Sequence, residues 1–362
     1  MNKKVMIILL SICIIVLAVI GVLYIIKDEE YKAGKDLNNI NKPIQTEGIT
    51  VVPTMGDEIN QNTIWCGTFQ LIWNDLKENL AKQDIVFTPQ IDVVKNLNKG
   101  EFNTSMLSDD YYYKKYGQIS IELKQEIENA IKEKFNETSD ILNDFNWEAK
   151  EGYFLYAMLK RTFEFEKVFD ELNKGSFANK YNDISYFGIE DSTDNTVGEQ
   201  IDILYYNSKE DFALIINTKQ NDEVIFVKTK EGITFDEIYN TMNDKKEQFK
   251  GDTNFTDIDI IKIPNIKLNE KKEFLDLEGK PFYFSSGEEY YIDKAIQTIE
   301  FELDKKGGKI KSEAGMSVLK FSNITGEKRE FLLNDTFTIF LREKYKEKPY
   351  FAARIDDITK FQ

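Results

Sequence analysis

The sequence predicts an α+β protein that is preceded by a single membrane-spanning helix, and three observations support this prediction. The first is an uncharged apolar run at residues 5–26. The second is helical periodicity, which is concentrated between residues 62 and 135. The third is a series of short, strand-like segments separated by turns in the second half of the chain. Helices and largely antiparallel strands that are segregated along the chain are typical of the α+β class.

The N-terminal segment, residues 1–27, predicts an uncleaved membrane anchor. Residues 5–26 carry no charge and have about the length that a bilayer-spanning helix needs. A cleaved signal peptide is the alternative, but its apolar region would be shorter and would end in a small-residue cleavage site. Lys3 and Lys4 favour a cytoplasmic N-terminus. We therefore expect a single-pass protein of the cell membrane with its body outside the cell.

The polar segment that follows, residues 28–61, predicts a flexible linker. It contains Pro43, Pro53 and several glycines, and it shows no sustained hydrophobic period. Residues 62–362 are then expected to form one extracytoplasmic domain.

The composition excludes several classes of function. The net charge of −16 argues against binding to nucleic acid. The chain has no histidine, which excludes Ser-His-Asp sites, Cys-His sites and histidine-ligated zinc sites. Cys13 lies in the apolar run, so no disulfide with Cys66 is expected, and Cys66 is expected to be buried. We expect no enzymatic activity, no cofactor and no metal, although a hydrolase with paired carboxylates remains an alternative.

Periodicity predicts the elements of the body. Trp65, Phe69 and Trp73 recur at four-residue spacing and predict a helix over residues 62–83. Further helices are predicted at residues 91–97, 120–135 and 234–249, and the main strands at residues 201–205, 212–216, 224–227 and 258–263. The continuous apolar run at residues 153–159 is consistent with a buried strand or with a buried helix. Tyr111, Tyr112 and Tyr113 are expected in a loop or at a strand edge.

The C-terminal region has the most informative pattern. A strand pattern over residues 291–304 breaks at Gly307 and Gly308 and is followed by an alternating segment up to residue 318. Two apolar runs, residues 337–341 and 349–354, close the chain. One face of the alternating segment holds only small or apolar residues: Gly308, Ile310, Ser312, Ala314, Met316 and Val318. This is the pattern of a half-buried strand.

The order of these elements resembles that of serpins over residues 152–354. In this comparison, residues 153–169 are similar to the central-sheet strand and its phenylalanine-rich turn, and Gly307 falls at the hinge glycine. The resemblance implies N-terminal helices packed on a large mixed or antiparallel sheet. The hinge differs from the small-residue run of inhibitory serpins, because it contains Lys309, Lys311 and Glu313.

The resemblance also implies a mechanism and a partner. The hinge would comprise Gly307, Gly308, Ile310, Ser312 and Ala314, and a serine or cysteine protease would cut the loop beyond it. The position of the hinge places that bond near Phe321 and Ser322. Insertion of the cut segment would add a strand to the sheet. The alternative is a cell-surface binding or structural module that does not inhibit proteases and whose residues 308–318 form a permanent strand.

Overall fold

A computed structural model describes residues 43–149, 151–190, 196–308 and 328–362. They belong to one unit, Pro43–Gln362. The predicted membrane helix lies outside the described residues. Within the described ranges, no helix has both the length and the hydrophobicity that a bilayer span requires.

The described part of the chain contains four α-helices: α1 (Thr68–Asp75), α2 (Asp92–Lys99), α3 (Ile121–Phe135) and α4 (Phe235–Gln248). A π-helical turn, Leu76–Ala81, continues α1. Ser120 caps α3, because its side chain accepts a hydrogen bond from the Leu123 amide, and Thr234 caps α4 in the same way. The helices predicted at residues 91–97, 120–135 and 234–249 are thereby confirmed.

The strands follow in chain order. The first ten are β1 (Ile49–Val51), β2 (Asn62–Cys66), β3 (Tyr112–Gln118), β4 (Tyr153–Leu159), β5 (Phe163–Glu164), β6 (Asp170–Phe177), β7 (Tyr181–Ile189), β8 (Ile201–Ser208), β9 (Asp211–Asn217) and β10 (Asp222–Lys228). The others are β11 (Ile260–Pro264), β12 (Ile266–Glu273), β13 (Pro281–Tyr283), β14 (Glu289–Tyr291), β15 (Ile296–Leu303), β16 (Gly307–Gly308), β17 (Glu330–Leu332), β18 (Phe337–Glu343) and β19 (Phe351–Ile355).

The largest sheet has seven strands in the order β1-β2-β19-β18-β10-β9-β8. All its neighbours are antiparallel except β1 and β2, which are parallel. Every residue of β10 is buried, which agrees with the apolar run at residues 224–227 from which the strand was predicted. The two predicted closing strands are confirmed as β18 and β19, which pair with each other.

The predicted helix over residues 62–83 is wrong in its first turn. Asn62–Cys66 forms β2, which is buried along its whole length between β1 and β19, and the helix begins only at Thr68. Trp65 therefore lies in the sheet and not on the helical face with Phe69 and Trp73. A short apolar run such as this one fits either type of element, and pairing on both sides selects the strand.

Residues 43–61 were predicted to be part of a flexible linker, but in the structure they belong to the unit Pro43–Gln362. Ile49–Val51 pairs with β2, and Ile44 forms a bridge with Glu270 in β12. This segment therefore contacts two sheets before the first predicted element begins.

A smaller sheet has four strands in the order β17-β11-β7-β6. The pairings place Asp170, Gly188, Lys262 and Leu332 in one row across the four strands. With strands about 4.8 Å apart, the two ends of this row are about 14 Å apart.

Helix α3 covers one face of the two-stranded sheet formed by β3 and β4. Ile127 and Ile131 pack with Phe154 and Tyr156 in a cluster that is separate from the main core. The other face of β4, which carries Leu155 and Ala157, packs against the main core. Tyr112 and Tyr113 lie in β3, whereas Tyr111 belongs to the 3₁₀ turn before it, so the run is divided between the loop and the strand edge that were predicted as alternatives.

Candidate functional site

The candidate site is a cleft between β4 and β15. Strand β4 pairs with β3 on one edge, and β15 pairs with β12 on one edge. Among the described residues, no strand pairs with the second edge of either. Residues of both strands line a cavity of about 900 Å³, including Leu155 and Ala157 on one side and Ile299 and Phe301 on the other.

The two strands that line the cleft run in the same direction. At their N-terminal ends, the ring of Tyr153 in β4 lies 6.1 Å from that of Tyr290, which precedes β15. Beyond their C-terminal ends, Gly307, which follows β15, pairs with Glu164, which follows β4. A strand that entered from this second end would run antiparallel to both neighbours.

Strand β16 already occupies the mouth of the cleft. Asp304 and Gly307 exchange two backbone hydrogen bonds of 3.1 Å and close a two-residue turn over Lys305 and Lys306. The side chain of Asp304 accepts a further hydrogen bond of 2.7 Å from the Lys306 amide. On its other side, β16 pairs with β5. The chain therefore leaves β15 through a tight hairpin and turns back toward the cleft.

Gly307 is required by this geometry for two reasons. Its φ is +114°, a region that side chains disfavour. A Cβ at this position would also lie 2.6 Å from the carbonyl oxygen of Phe163. The predicted hinge glycine is therefore a residue that brings two backbones into close contact.

Gln297 lies on the floor of the cleft and is only 4% exposed. Its Nε2 donates hydrogen bonds to the Cys66 carbonyl oxygen (3.0 Å) and to Thr68 Oγ1 (2.8 Å). Its Oε1 is buried and has no hydrogen-bond partner among the described residues. The amide thus ties β15 to the start of α1 with its nitrogen only.

Cys66 also lines the cleft, and the structure confirms that it is buried. Burial raises the pKa of its thiol, which disfavours the reactive thiolate. In the described ranges, no group of three or more Cys, Asp or Glu side chains is placed to hold a metal ion. This arrangement favours a packing role for Cys66.

Arg161 fixes the end of β4 to the seven-stranded sheet. Its Nε donates to Asp222 Oδ2 at 2.6 Å, and its Nη1 donates to Glu343 at 3.3 Å. Tyr111 covers the guanidinium group, with 3.5 Å between Cζ and the ring centroid. The side chains of Arg161 and Asp222 are almost fully buried. One wall of the cleft is therefore held in place by a buried ion pair.

Arg329 fixes the opposite end of the segment that follows Gly308. Its guanidinium group binds both carboxylate oxygens of Asp259, with an Nη2–Oδ2 distance of 2.7 Å, and donates to the carbonyl oxygens of Asp252 and Asn254. Next to it, Phe331 of β17 is fully buried. The chain is thus held firmly in the four-stranded sheet immediately after residue 328.

The structure describes only part of the predicted hinge. Gly307 and Gly308 form β16 at the mouth of the cleft. The other predicted residues lie outside the described ranges: Ile310, Ser312, Ala314, Phe321 and Ser322.

Sequence reasoning missed Gln297, Arg161 and Arg329. The signal for Gln297 was available, because it is a polar residue in the same phase as Ile299 and Phe301, which face the core. The partners of Arg161 and Arg329 lie 61 and 70 positions away in sequence, so no local pattern indicates them.

Comparison with known proteins shows the fold. No protein-family model matches the chain, and no curated protein matches it. The native state of tengpin, a thermophilic serpin, matches with a TM-score of 0.51 and 11% identity, over 84% of this chain and 90% of that one. The chain has a divergent serpin-like fold.

Two other serpin-like structures are also similar. Serpin48 of the insect Tenebrio molitor matches with a TM-score of 0.39 and 11% identity, over 82% of this chain and 74% of that one. The complex of thyroxine-binding globulin with thyroxine matches with a TM-score of 0.42 and 12% identity, over 65% of this chain. That match spans 64% of thyroxine-binding globulin, which is less than two thirds of its length.

Proposed function

We propose that this serpin-like protein inhibits a protease by inserting residues 309–318 as a new strand between β4 and β15. The observation that carries the proposal is the position of β16, which is paired with β5 and joined by a two-residue turn to β15. The segment therefore begins at the mouth of a cleft whose two strand edges have no described partner. An antiparallel strand that continued β16 would complete both ladders.

The two-residue turn determines the register that such a strand would take. Continuing from the Asp304–Gly307 pair, Ile310 lies opposite Phe301 and Ser312 opposite Ile299. Phe301 and Ile299 face the core, so the small and apolar face of the segment would face it too. Lys309 and Lys311 would lie opposite Glu302 and Glu300, which favours the same register through opposite charges.

Insertion would release free energy. Ile310, Met316 and Val318 would bury apolar side chains, each of which contributes about 1.5–3 kcal/mol when it is fully buried. The unpaired edges of β4 and β15 would gain ladder hydrogen bonds. A cut beyond Val318 would free the segment to move, and the attacking protease would be trapped as the strand forms.

The remaining parts of the proposal concern the target and the location. We place the reactive bond near Phe321–Ser322, which suits a serine or cysteine protease with an apolar primary pocket. The protein would act as an inhibitor and not as an enzyme. Residues 1–27 would anchor it in the cell membrane, with the body outside the cell, where a protease could reach the loop.

The experiment is incubation of the protein with a panel of serine and cysteine proteases. We expect an SDS-stable complex or a single cut between residues 320 and 330, together with a higher Tm of the cut protein. Phe321→Asp should abolish the reaction with proteases that prefer apolar residues. Tyr345→Asp is the control, because Tyr345 is 91% exposed and is not part of the segment that follows Gly308. A cut protein whose Tm is unchanged would exclude the insertion mechanism.

The alternative function is a binding or structural module without inhibitory activity, and the strand already formed by β16 favours it. In that case residues 308–318 would resist amide hydrogen exchange before any cut. In an inhibitor, the same amides should gain protection only after the cut.

A further inference from the structure

The indole ring of Trp65 in β2 is fully buried, and its Nε1 has no hydrogen-bond partner among the described residues. Phe102 packs edge-to-face against this ring, with 5.4 Å between the two centroids, and so limits how far the indole can turn. A buried donor without an acceptor is costly, and most such groups in proteins have a partner. The surroundings of Trp65 should therefore supply an acceptor.

Trp65 lines a small cavity of about 20 Å³ that lies between β2, α2 and the first turn of α4. None of the residues that line it also lines the cleft between β4 and β15. A water molecule needs a cavity of at least about 10–15 Å³ and two to four polar partners. The cavity therefore has room for one water molecule.

The charged groups around the cavity favour a neutral ligand. Glu101 and Asp236 contribute two carboxyl groups, and Lys99 and Lys348 contribute two ammonium groups. An ion of either sign would meet like charges as well as opposite ones, and the N–H group of Trp65 would repel a cation. A water molecule can accept a hydrogen bond from the indole and donate to a carboxylate, so it suits both kinds of partner.

The carboxyl groups of Glu101 and Asp236 supply the acceptor. A hydrogen bond between these two groups is the main cause that raises the pKa of the Glu101 carboxyl. Two carboxyl groups that share a proton still have free oxygen atoms, which can accept from a third group. Asp236 is held in place, because its amide donates to the Met55 carbonyl oxygen at 3.0 Å and Lys348 Nζ lies 3.3 Å from its Oδ1.

We propose that this cavity binds a single water molecule, which accepts a hydrogen bond from Trp65 Nε1 and donates to the carboxyl pair of Glu101 and Asp236. The water joins the buried strand β2 to the first turn of α4 through a bridge that neither side chain makes directly. The inference does not depend on the insertion of a strand, so failure of the proposed function leaves it standing.

A crystal structure of the unmodified protein shows the site directly. We expect a water molecule within 3.2 Å of Trp65 Nε1 and within the same distance of a carboxylate oxygen of Glu101 or Asp236. A cavity without a water molecule, or a water molecule that lacks either of these contacts, would overturn the inference.

Gly56→Ala tests the same site in solution. Gly56 lines the cavity and does not have a positive φ, and an added Cβ would lie 3.6 Å from Asp236 Oδ2 and 3.8 Å from Asn96 Cγ, which is ordinary contact. In a dry cavity this methyl group should leave the Tm unchanged or raise it. If it displaces a bound water molecule, Trp65 Nε1 loses its acceptor, and we expect the Tm to fall by about 2 °C or more.

Trp65→Phe provides the matched background, because it removes the indole N–H group but keeps an aromatic ring. In this background Gly56→Ala should no longer lower the Tm, since no donor is left without a partner. An equal fall in both backgrounds would show steric strain and not the loss of a water molecule, and it would overturn the inference. If Trp65→Phe does not fold, the crystal structure of the unmodified protein decides.

Discussion

Individual residues set the geometry of the cleft between β4 and β15. Gly307 combines a positive φ with a close contact between its own backbone and that of Phe163. Gln297 offers an acceptor on the cleft floor. Arg161 holds one wall of the cleft by a buried ion pair. Each of these residues acts through a single geometric property, so each can be tested by a single substitution.

Replacing Gly307 by alanine tests the hinge. The new Cβ would meet the Phe163 carbonyl oxygen at 2.6 Å in addition to adopting an unfavourable φ, so we expect a loss of stability above about 1 kcal/mol. Gly287→Ala is the matched control, since Gly287 has a φ of +89° but no atom within 4 Å of the added Cβ. Denaturant unfolding measures both. Equal losses would show that the close contact with β5 is unimportant.

At the scale of elements, β17 is a three-residue edge strand that depends on its anchor. Burial acts to raise the pKa of the Asp259 carboxyl, but hydrogen bonds from Arg329 and Thr256 outweigh this effect and hold the pKa below its ordinary value. A carboxyl group with a lowered pKa stabilises the folded state at any pH above its ordinary pKa. This stabilisation is lost as the pH falls through the folded-state pKa.

Asp259→Asn should therefore destabilise the protein by about 3–5 kcal/mol at neutral pH, since it leaves Arg329 without its buried partner. The difference from the unmodified protein should shrink as the pH falls from about 4, the ordinary pKa of an aspartate, toward the lower folded-state pKa of Asp259, because the unfolded state takes up a proton there first. Urea unfolding between pH 7 and pH 3 measures this, and Asp92→Asn, which alters an exposed pair with Lys95, is the control. A difference that does not change with pH would contradict the assignment.

The sequence predicted elements well where periodicity extends over a full helix or strand. Helices α3 and α4 were predicted from their periodicity, and β9, β10, β18 and β19 were predicted from their apolar runs. It failed at Asn62–Cys66, where a five-residue run is paired on both sides by strands that are distant in sequence. It also failed to indicate the partners of Gln297 and Arg329, because contacts between residues that are distant in sequence leave no local pattern.

For the whole molecule, the order of elements was more informative than any single motif. Strand order and a glycine hinge indicated the serpin-like fold, although identity to the solved structures is only 11–12% in the matches described above. The first half resembles that fold less in sequence, and there the segment at residues 43–61 contributes β1.

Removal of residues 1–42 tests the organisation of the whole chain. Because Pro43–Gln362 forms a unit with its own core, we expect the shortened protein to keep its circular dichroism spectrum and its Tm. The full chain should sediment with membranes and the shortened one should not. Release of the full chain by high salt or alkaline washing would contradict the predicted anchor.

The row of residues that crosses the four-stranded sheet has a mechanical consequence. Lys305 accepts a hydrogen bond from the Phe169 amide near one end of this row, and Leu332 is the other end, about 14 Å away. Ten inserted residues, 309–318, would reach about 33 Å down the cleft. The thirteen that would remain before Leu332, residues 319–331, span at most about 47 Å, against a diagonal back of about 36 Å. An uncut chain would have to use most of its full extension on the way back, whereas a cut chain would carry no such constraint, so we expect cutting to favour the proposed insertion.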